Sequence, residues 1–239
     1  MLDRSANVST PSANFRRPPY MVTFSGIDGA GKTTQIETAA ALLSQMGYRV
    51  ARVAFWDDVA VLPKLRTGLS SQVFKKKPDS ASLRHDKNVR TWYLTMVRSF
   101  FYALDTVRLR LVASRLRDSE EFDFIIFDRY VFDLLVQIRA SNWWARTYRK
   151  ALLALAPLPD KAFVLDASPD EAFKRKPEYP LAFMHQYRRE FLGLRGSVPH
   201  LEVIPPSTID QVHRQIMSRL LLAPAVNSCL RNSPDTVSP

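Results

Sequence analysis

The stretch Gly26-Ile27-Asp28-Gly29-Ala30-Gly31-Lys32-Thr33 has the spacing G-x-x-x-x-G-K-[ST]. Residues of these types at this spacing suit the capture of a chain of phosphates. The glycines let the backbone curl until successive N–H groups point inward at phosphate oxygens. Lys32 would bring a point charge to the outer phosphates, and Thr33 would offer its hydroxyl to Mg²⁺. A helix opening at Thr33 and Thr34 would add the partial positive charge of its N-terminus. The same pattern also occurs as a merely structural glycine-rich turn. The confirming context is an apolar strand before it and a helix after it, and both are readable here.

Other residues could join such a site. Asp128 and Arg129 follow a strongly apolar run, and the carboxyl end of a strand is where α/β sheets bind ligands. Phosphoryl transfer spreads charge over the equatorial oxygens, so it needs cations and positioning. The glycine-rich loop has no arginine between its glycines, so further cations must come from elsewhere. Lys174, Arg175 and Lys176, just before Pro177, are a natural source. The plainer readings are a surface ion pair for Asp128 and Arg129, and for 174–176 a last helical turn whose cations face the helix dipole.

The elements that must position these residues alternate between strand and helix, which argues for an α/β fold with a mainly parallel sheet. Strands are expected at 20–25, 49–55, 122–127, 162–166 and 201–204. A helix is expected at 33–46, with Ile36, Ala40 and Leu43 on one face and Gly47 just past its end. A long helix is expected at 91–117. Ser168-Pro169-Asp170-Glu171 has the form of a helix start, with a capping serine and a proline at the first helical position. Ser207 or Thr208 would cap a last helix whose buried stripe is Ile209, Val212, Ile216 and Leu220. Residues 1–19 and 224–239 are rich in Ser, Asn and Pro, and read as disordered tails around one domain at 20–223.

Composition narrows the function classes. The 239 residues suit a single domain with a sizeable core. No run of about 18 apolar residues occurs, so no membrane partner is expected. The start of the chain lacks the apolar core of a secretory signal. The one cysteine, Cys229, rules out an internal disulfide framework and fits a reducing, cytoplasmic setting. The net charge of +11 is spread along the chain, with one tight run at Lys75, Lys76 and Lys77. No recognition motif accompanies it, so nucleic acid is not an expected partner. His85, His185, His200 and His213 show no metal spacing.

Four matches carry a resemblance to the thymidylate kinase family. The loop with its continuation, GIDGAGKTTQ from Gly26 to Gln35, is similar to that family's P-loop, including the acidic Asp28. Asp128-Arg129-Tyr130 resembles its Asp-Arg-Tyr motif. Leu165-Asp166 followed by Pro169-Asp170-Glu171-Ala172 looks like the fourth strand and the entry to the lid, and 209–216 looks like the closing helix. The resemblance spans about residues 20–222. It implies a P-loop kinase three-layer α/β/α fold with a five-stranded parallel sheet and a short lid at about 172–182. It also implies ATP as donor with Mg²⁺. The loop residues Gly26, Ile27, Asp28, Gly29, Ala30, Gly31, Lys32, Thr33 and Thr34 would hold the donor. Lys32, Asp128, Arg129 and Arg175 would be catalytic, and Thr33 and Asp128 would face the metal. Asp28 would touch a sugar hydroxyl of the acceptor, Tyr130 would lie beside it, and the loop at 205–208 would flank the donor base.

The chain departs from that family on the acceptor side. Phe55-Trp56-Asp57-Asp58 stands where an arginine, a glutamate and a proline are usual. Asp105 stands where a cation would meet the acceptor base, in the stretch Phe101-Tyr102-Ala103-Leu104-Asp105, with Arg98 seven residues earlier on nearly the same helix face. Asp57, Arg98, Tyr102 and Asp105 are therefore taken with Asp28 and Tyr130 as the acceptor's surroundings. Trp92, Phe100, Phe101 and Tyr102 otherwise read as packing, and Trp143 and Trp144 as an interface or a cover for the core. A nucleoside monophosphate is the first acceptor. Three carboxylates near it would repel a phosphate, so thymidylate is not expected to be the best substrate. The alternatives are a kinase of a hydroxyl acceptor, such as a nucleoside or sugar derivative, with Asp57 or Asp58 as base, and a nucleotide-binding protein without turnover. A homodimer stays open.

Overall fold

Side chains on successive strand residues point to opposite faces, and the first strand shows how the sheet divides the core. A computed structural model describes residues 18–61, 92–138, 142–177 and 179–222. In strand β1, Tyr20–Ser25, Val22 and Phe24 face one layer and Met21 the other. Strands β2 (Val50–Ala54), β3 (Phe124–Asp128), β4 (Lys161–Leu165) and β5 (Leu201–Ile204) complete a five-stranded sheet in the order β2-β3-β1-β4-β5. Every pairing is parallel, with Phe24 opposite Asp128 and Ala54 opposite the same Asp128. The carboxyl ends of β1, β2 and β3 thus lie side by side.

Helix α1 (Lys32–Gln45) shares a core with the last helix of the chain. Ile36, Ala39 and Leu43 meet Phe24, Phe163, Ile216 and Leu220 there. Gly47 takes φ 88° just beyond α1, and Tyr48 N–H donates to Leu43 O at 3.0 Å, which closes the helix end. The opposite face is covered by α2 (Trp92–Asp118), α3 (Val131–Leu135), α4 (Trp143–Leu155) and α6 (Leu181–Gly193), through Leu109, Phe132, Leu152, Met184 and Phe191. The short α5 (Pro169–Arg175) leads toward α6. The result is the three-layer α/β/α arrangement expected.

Several expectations shift on contact with the structure. Helices α3, α4 and α6 are not among the expected elements, although α4 is strongly amphipathic. Asn142 caps α4 by accepting the N–H of Ala145 at 2.8 Å. Thr208, not Ser207, caps α7 (Ile209–Leu221), in a capping box with Gln211. Ser168 holds the cap position of α5 without a side-chain hydrogen bond. Ile209 is 65 % exposed, so the buried stripe of α7 starts further along and takes in Met217. Phe100 is exposed rather than packed, whereas Tyr102 is buried. Trp143 and Trp144 stack on each other and stay 63 % and 66 % exposed, so they do not cover the core. Of the expected tails at 1–19 and 224–239, only Pro18 and Pro19 are among the described residues, and Pro19 is buried; the rest lies outside them, as do Lys75–Lys77, His85 and the side chain of Trp92.

The contrast along α7 gives a stability prediction. Ile216→Ala should cost about 2–5 kcal/mol, because it empties a fully buried site. Ile209→Ala should stay within roughly 0.5 kcal/mol. Denaturant melts of the two variants check this, with the Ile216 variant's Tm falling by roughly 5–15 °C.

Candidate active site

The loop between β1 and α1 is pressed against two neighbours, and its glycines are what permit this. A Cβ on Gly26 (φ 141°) would lie 2.5 Å from Leu165 O at the end of β4. A Cβ on Gly29 (φ 84°) would lie 2.6 Å from Ala172 O in α5. Both positions therefore need the missing side chain as well as the left-handed backbone. The loop is wedged between the sheet edge and the helix that carries Arg175, whose Nη1 donates to Gly29 O at 3.2 Å. Thr33 and Thr34 stand exposed in the first turn of α1.

Lys32 is buried and folds back over the loop. Its Nζ donates to Gly26 O and Ile27 O, both at 2.9 Å, and lies 3.8 Å from Asp28 Oδ1. Burial, together with the nearby Arg129, brings the Lys32 pKa down to about 8, against the pull of Asp28, Asp133 and Asp128 in the other direction. Burial likewise raises the pKa of Asp128, at the carboxyl end of β3, and the cations Arg129 and Lys32 only partly offset this.

Arg129 comes next in the chain with φ 68°, a left-handed conformation uncommon for a residue with a side chain. Its N–H donates to Phe24 O at 2.9 Å, which ties the turn to β1. The guanidinium is held between two carboxylates, Nη1 donating to Asp133 Oδ1 at 2.9 Å and Nη2 to Asp28 Oδ1. Burial would lower the Arg129 pKa, and these two carboxylates more than compensate, so it rises. For Asp28 burial works upward, but Arg129 and Lys32 outweigh it and hold its pKa below the ordinary value. Asp133 is buried and also accepts Ser25 Oγ–H at 2.6 Å.

The arrangement sets Asp28, Lys32, Asp128, Arg129, Asp133 and Arg175 around a glycine-rich loop on the carboxyl edge of a parallel sheet. No protein-family model matches the chain. It is 27 % identical over 213 residues to a probable thymidylate kinase of Methanothermobacter thermautotrophicus, covering 87 % of this chain and 96 % of that one. To a thymidylate kinase of Chlorobium luteolum it is 30 % identical over 173 residues, covering 70 % of this chain and 72 % of the relative. The chain belongs to the thymidylate kinase family. Its enzyme class is that of the ATP-dependent kinases. Solved thymidylate kinases from Ehrlichia chaffeensis and Candida albicans share the fold. The first has a TM-score of 0.56 at 19 % identity over 86 % of this chain and all of that one. The second has a TM-score of 0.59 at 18 % identity over 85 % of this chain and 91 % of that one.

In this thymidylate kinase family member the sequence-derived residues divide into two sets. Gly26, Ile27, Asp28, Gly29, Ala30, Gly31, Lys32, Thr33, Asp128, Arg129 and Arg175 gather around the loop. Among the residues assigned to the acceptor, Tyr130 and Asp105 are buried. Tyr130 is buried in the core, packed between Phe127 and Phe132, and its hydroxyl donates to Pro157 O at 2.6 Å. Asp105 is fully buried, and its Oδ1 accepts the N–H of Val61 at 2.7 Å. Asp58 accepts the N–H of Ala54 at 2.7 Å, and Asp57 is exposed beside it. Asp58 and Asp105 therefore brace the backbone that leaves β2, Asp105 from a fully buried position and Asp58 from an exposed one. Arg98 and Tyr102 do come together, the guanidinium 5.5 Å from the ring centroid, and both meet Gln137.

Sequence reasoning missed Asp133, Gln137 and Ser25. The i,i+4 spacing of Asp133 from Arg129 was the available signal, but α3 is one short turn with no periodicity to mark it.

The depressed Lys32 pKa gives a pH prediction. In the free protein Lys32 loses its proton as pH rises through about 8, while a bound polyphosphate favours the charged form and raises the pKa. ATP affinity should therefore be flat below about pH 7 and roughly tenfold weaker at pH 9 than at pH 7. Calorimetric titrations across that range check it, and a Lys32→Arg variant should remove the dependence.

Proposed function

We propose that the protein transfers the γ-phosphoryl group of ATP to the phosphate of a nucleoside monophosphate, with thymidylate the first acceptor to test. The observation that carries the reading is the grouping of Lys32, Arg129 and Asp28 over the glycine-rich loop. A phosphate oxygen of the acceptor attacks the γ-phosphorus, the bond to the β,γ-bridging oxygen breaks, and ADP leaves. The loop N–H groups and Lys32 would bind the donor phosphates. Arg129 would lie against the transferring group, where charge is spread over the equatorial oxygens. Arg175, at the end of α5 and already bonded to Gly29, would approach the same phosphates from the lid, a segment of about 172–182 within a domain of about 20–223. Asp28, released from Arg129 as phosphates enter, would accept a sugar hydroxyl of the acceptor.

The residues present suit Mg²⁺. Among the described residues no group of three or more His, Cys, Asp or Glu could cage an ion. Thr33 and Asp128 at the loop instead fit an ion that takes one or two protein oxygens and completes its shell with phosphates and water. When bound, the ion would neutralise charge on the β- and γ-oxygens.

For a hydroxyl kinase with Asp57 or Asp58 as base, Asp58 Oδ2 already accepts the Ala54 N–H, which leaves the exposed Asp57 as the candidate. A nucleotide-binding protein without turnover is at odds with an intact cation pair. The expected result is ATP consumption with dTMP or another nucleoside monophosphate well above that with nucleosides or sugar derivatives. Arg129→Ala should lower kcat by about 10²–10³ and leave the KM for ATP within a few fold. Turnover confined to nucleosides or sugars would overturn the acceptor class. An unchanged kcat in Arg129→Ala would leave Arg129 a structural ion-pair partner.

A further inference from the structure

We infer that Asp133 is the positioning residue of Arg129, the fixed member of the two carboxylates that hold its guanidinium, while Asp28 is the exchangeable one. The inference rests on the reading of Arg129 as a cation of phosphoryl transfer.

The two carboxylates differ in ways that assign these parts. The Asp133 side chain is 3 % exposed, and that of Asp28 is 17 % exposed. Asp133 sits one helical turn after Arg129, in α3. Its Oδ1 receives Arg129 Nη1 at 2.9 Å, and its Oδ2 receives Ser25 Oγ–H at 2.6 Å and Tyr130 N–H at 3.3 Å. Moving Asp133 away would orphan donors from β1 and from the turn that opens α3, and would strand a buried charge. Asp28 is on the glycine-rich loop, and Lys32 stands 3.8 Å away to share its charge. Asp28 can turn from Arg129 without leaving either group buried and unpaired.

The turn itself is held from further away. Gln137 Nε2 donates to Asp133 O at 3.0 Å, and Gln137 Oε1 accepts from Tyr102 Oη at 2.7 Å. Arg98 Nη2 donates to Gln137 O at 2.9 Å. Residues of α2 thus brace the helix turn that carries Asp133, and through it the guanidinium.

The consequence for catalysis follows from which nitrogen is tied down. An arginine with no permanent partner would follow the ground-state phosphates wherever they settle, which strengthens binding without raising kcat. With Nη1 kept on Asp133, Arg129 offers Nη2, the nitrogen that Asp28 gives up, at one place. Asp133 touches no substrate, and it acts through Arg129.

The test is a double-mutant cycle on the full chain with ATP and dTMP as probes. Asp133→Asn, which keeps shape and removes charge, should lower kcat tenfold or more and change the KM for ATP less than threefold. In an Arg129→Ala background the same substitution should change kcat less than twofold. A merely structural Asp133 would instead multiply its effect on that of Arg129→Ala, and this result would overturn the inference. A second readout does not need turnover: the slowly exchanging Nη1–H signals of Arg129, the nitrogen held by Asp133, should be lost in Asp133→Asn in nitrogen-15 NMR of the ligand-free protein. Their retention also counts against the inference. If Arg129→Ala lowers kcat while Asp133→Asn leaves it unchanged, the positioning role falls and the reading of Arg129 stands. If Arg129→Ala keeps full kcat, the reading itself falls. Should Asp133→Asn not fold, Ser25→Ala carries the test, since it loosens the carboxylate without removing its charge. Its smaller loss of kcat should vanish in the Arg129→Ala background, and a loss that persists there would overturn the inference.

Discussion

Two cations lie side by side where phosphates would bind, Lys32 buried and Arg129 partly buried, and the protein's own groups have to balance their charge. An unpaired buried ammonium or guanidinium is costly, and two of them repel. The protein meets this in different ways for each. Lys32 turns its three donors toward the carbonyls of Gly26 and Ile27 and toward Asp28, and lowers its pKa. Arg129 cannot shed its proton, so it is bracketed by Asp28 and Asp133. Asp28 is common to both cations. A polyphosphate entering the loop would compete for both at once, and Asp28 is the group that such competition sets free.

The rest of the fold holds that cluster in register. Parallel pairing puts Asp128 beside Phe24, and the turn after β3 then bonds back to β1 through Arg129 N–H. Gly26 and Gly29 allow the loop to touch β4 and α5 at backbone distance, so the helix carrying Arg175 cannot drift from the loop without opening that contact. On the far side Asp166, at the end of β4, receives two bonds from Arg188 in α6, at 2.6 and 2.7 Å. The arm beyond α5 is thereby fastened to the sheet as well.

On the acceptor side, side-chain type was a poor guide to use. Asp58 and Asp105 accept backbone N–H groups where the chain leaves β2 in a wide turn over Phe55–Val59. Asp105 is fully buried there and is not offered to a ligand as a free charge, whereas Asp58 stays exposed. Tyr130 lies in the motif beside Asp128 and Arg129, yet it points into the core, and burial pushes its hydroxyl pKa up.

The sequence by itself determined what depends on near neighbours. The glycine-rich loop, the strands on either side of the sheet's centre, the stripe of α1 and the glycine that ends it were all legible, because spacing and backbone freedom are local properties. The resemblance also found Asp128 and Arg129 as a pair. Only the tertiary structure decided what those residues face. Arg129 and Asp28 are 101 residues apart in the chain, and Ser25 and Asp133 are 108 apart. Ile209 has the type of a core residue and the exposure of a surface one, because α7 meets the sheet only from its second turn onward. Asp105 could be placed on a helix from the sequence, but the backbone N–H that claims it comes from a segment 44 positions away. Periodicity reports which way a side chain points on its own element, and the partner it meets there depends on how distant elements pack.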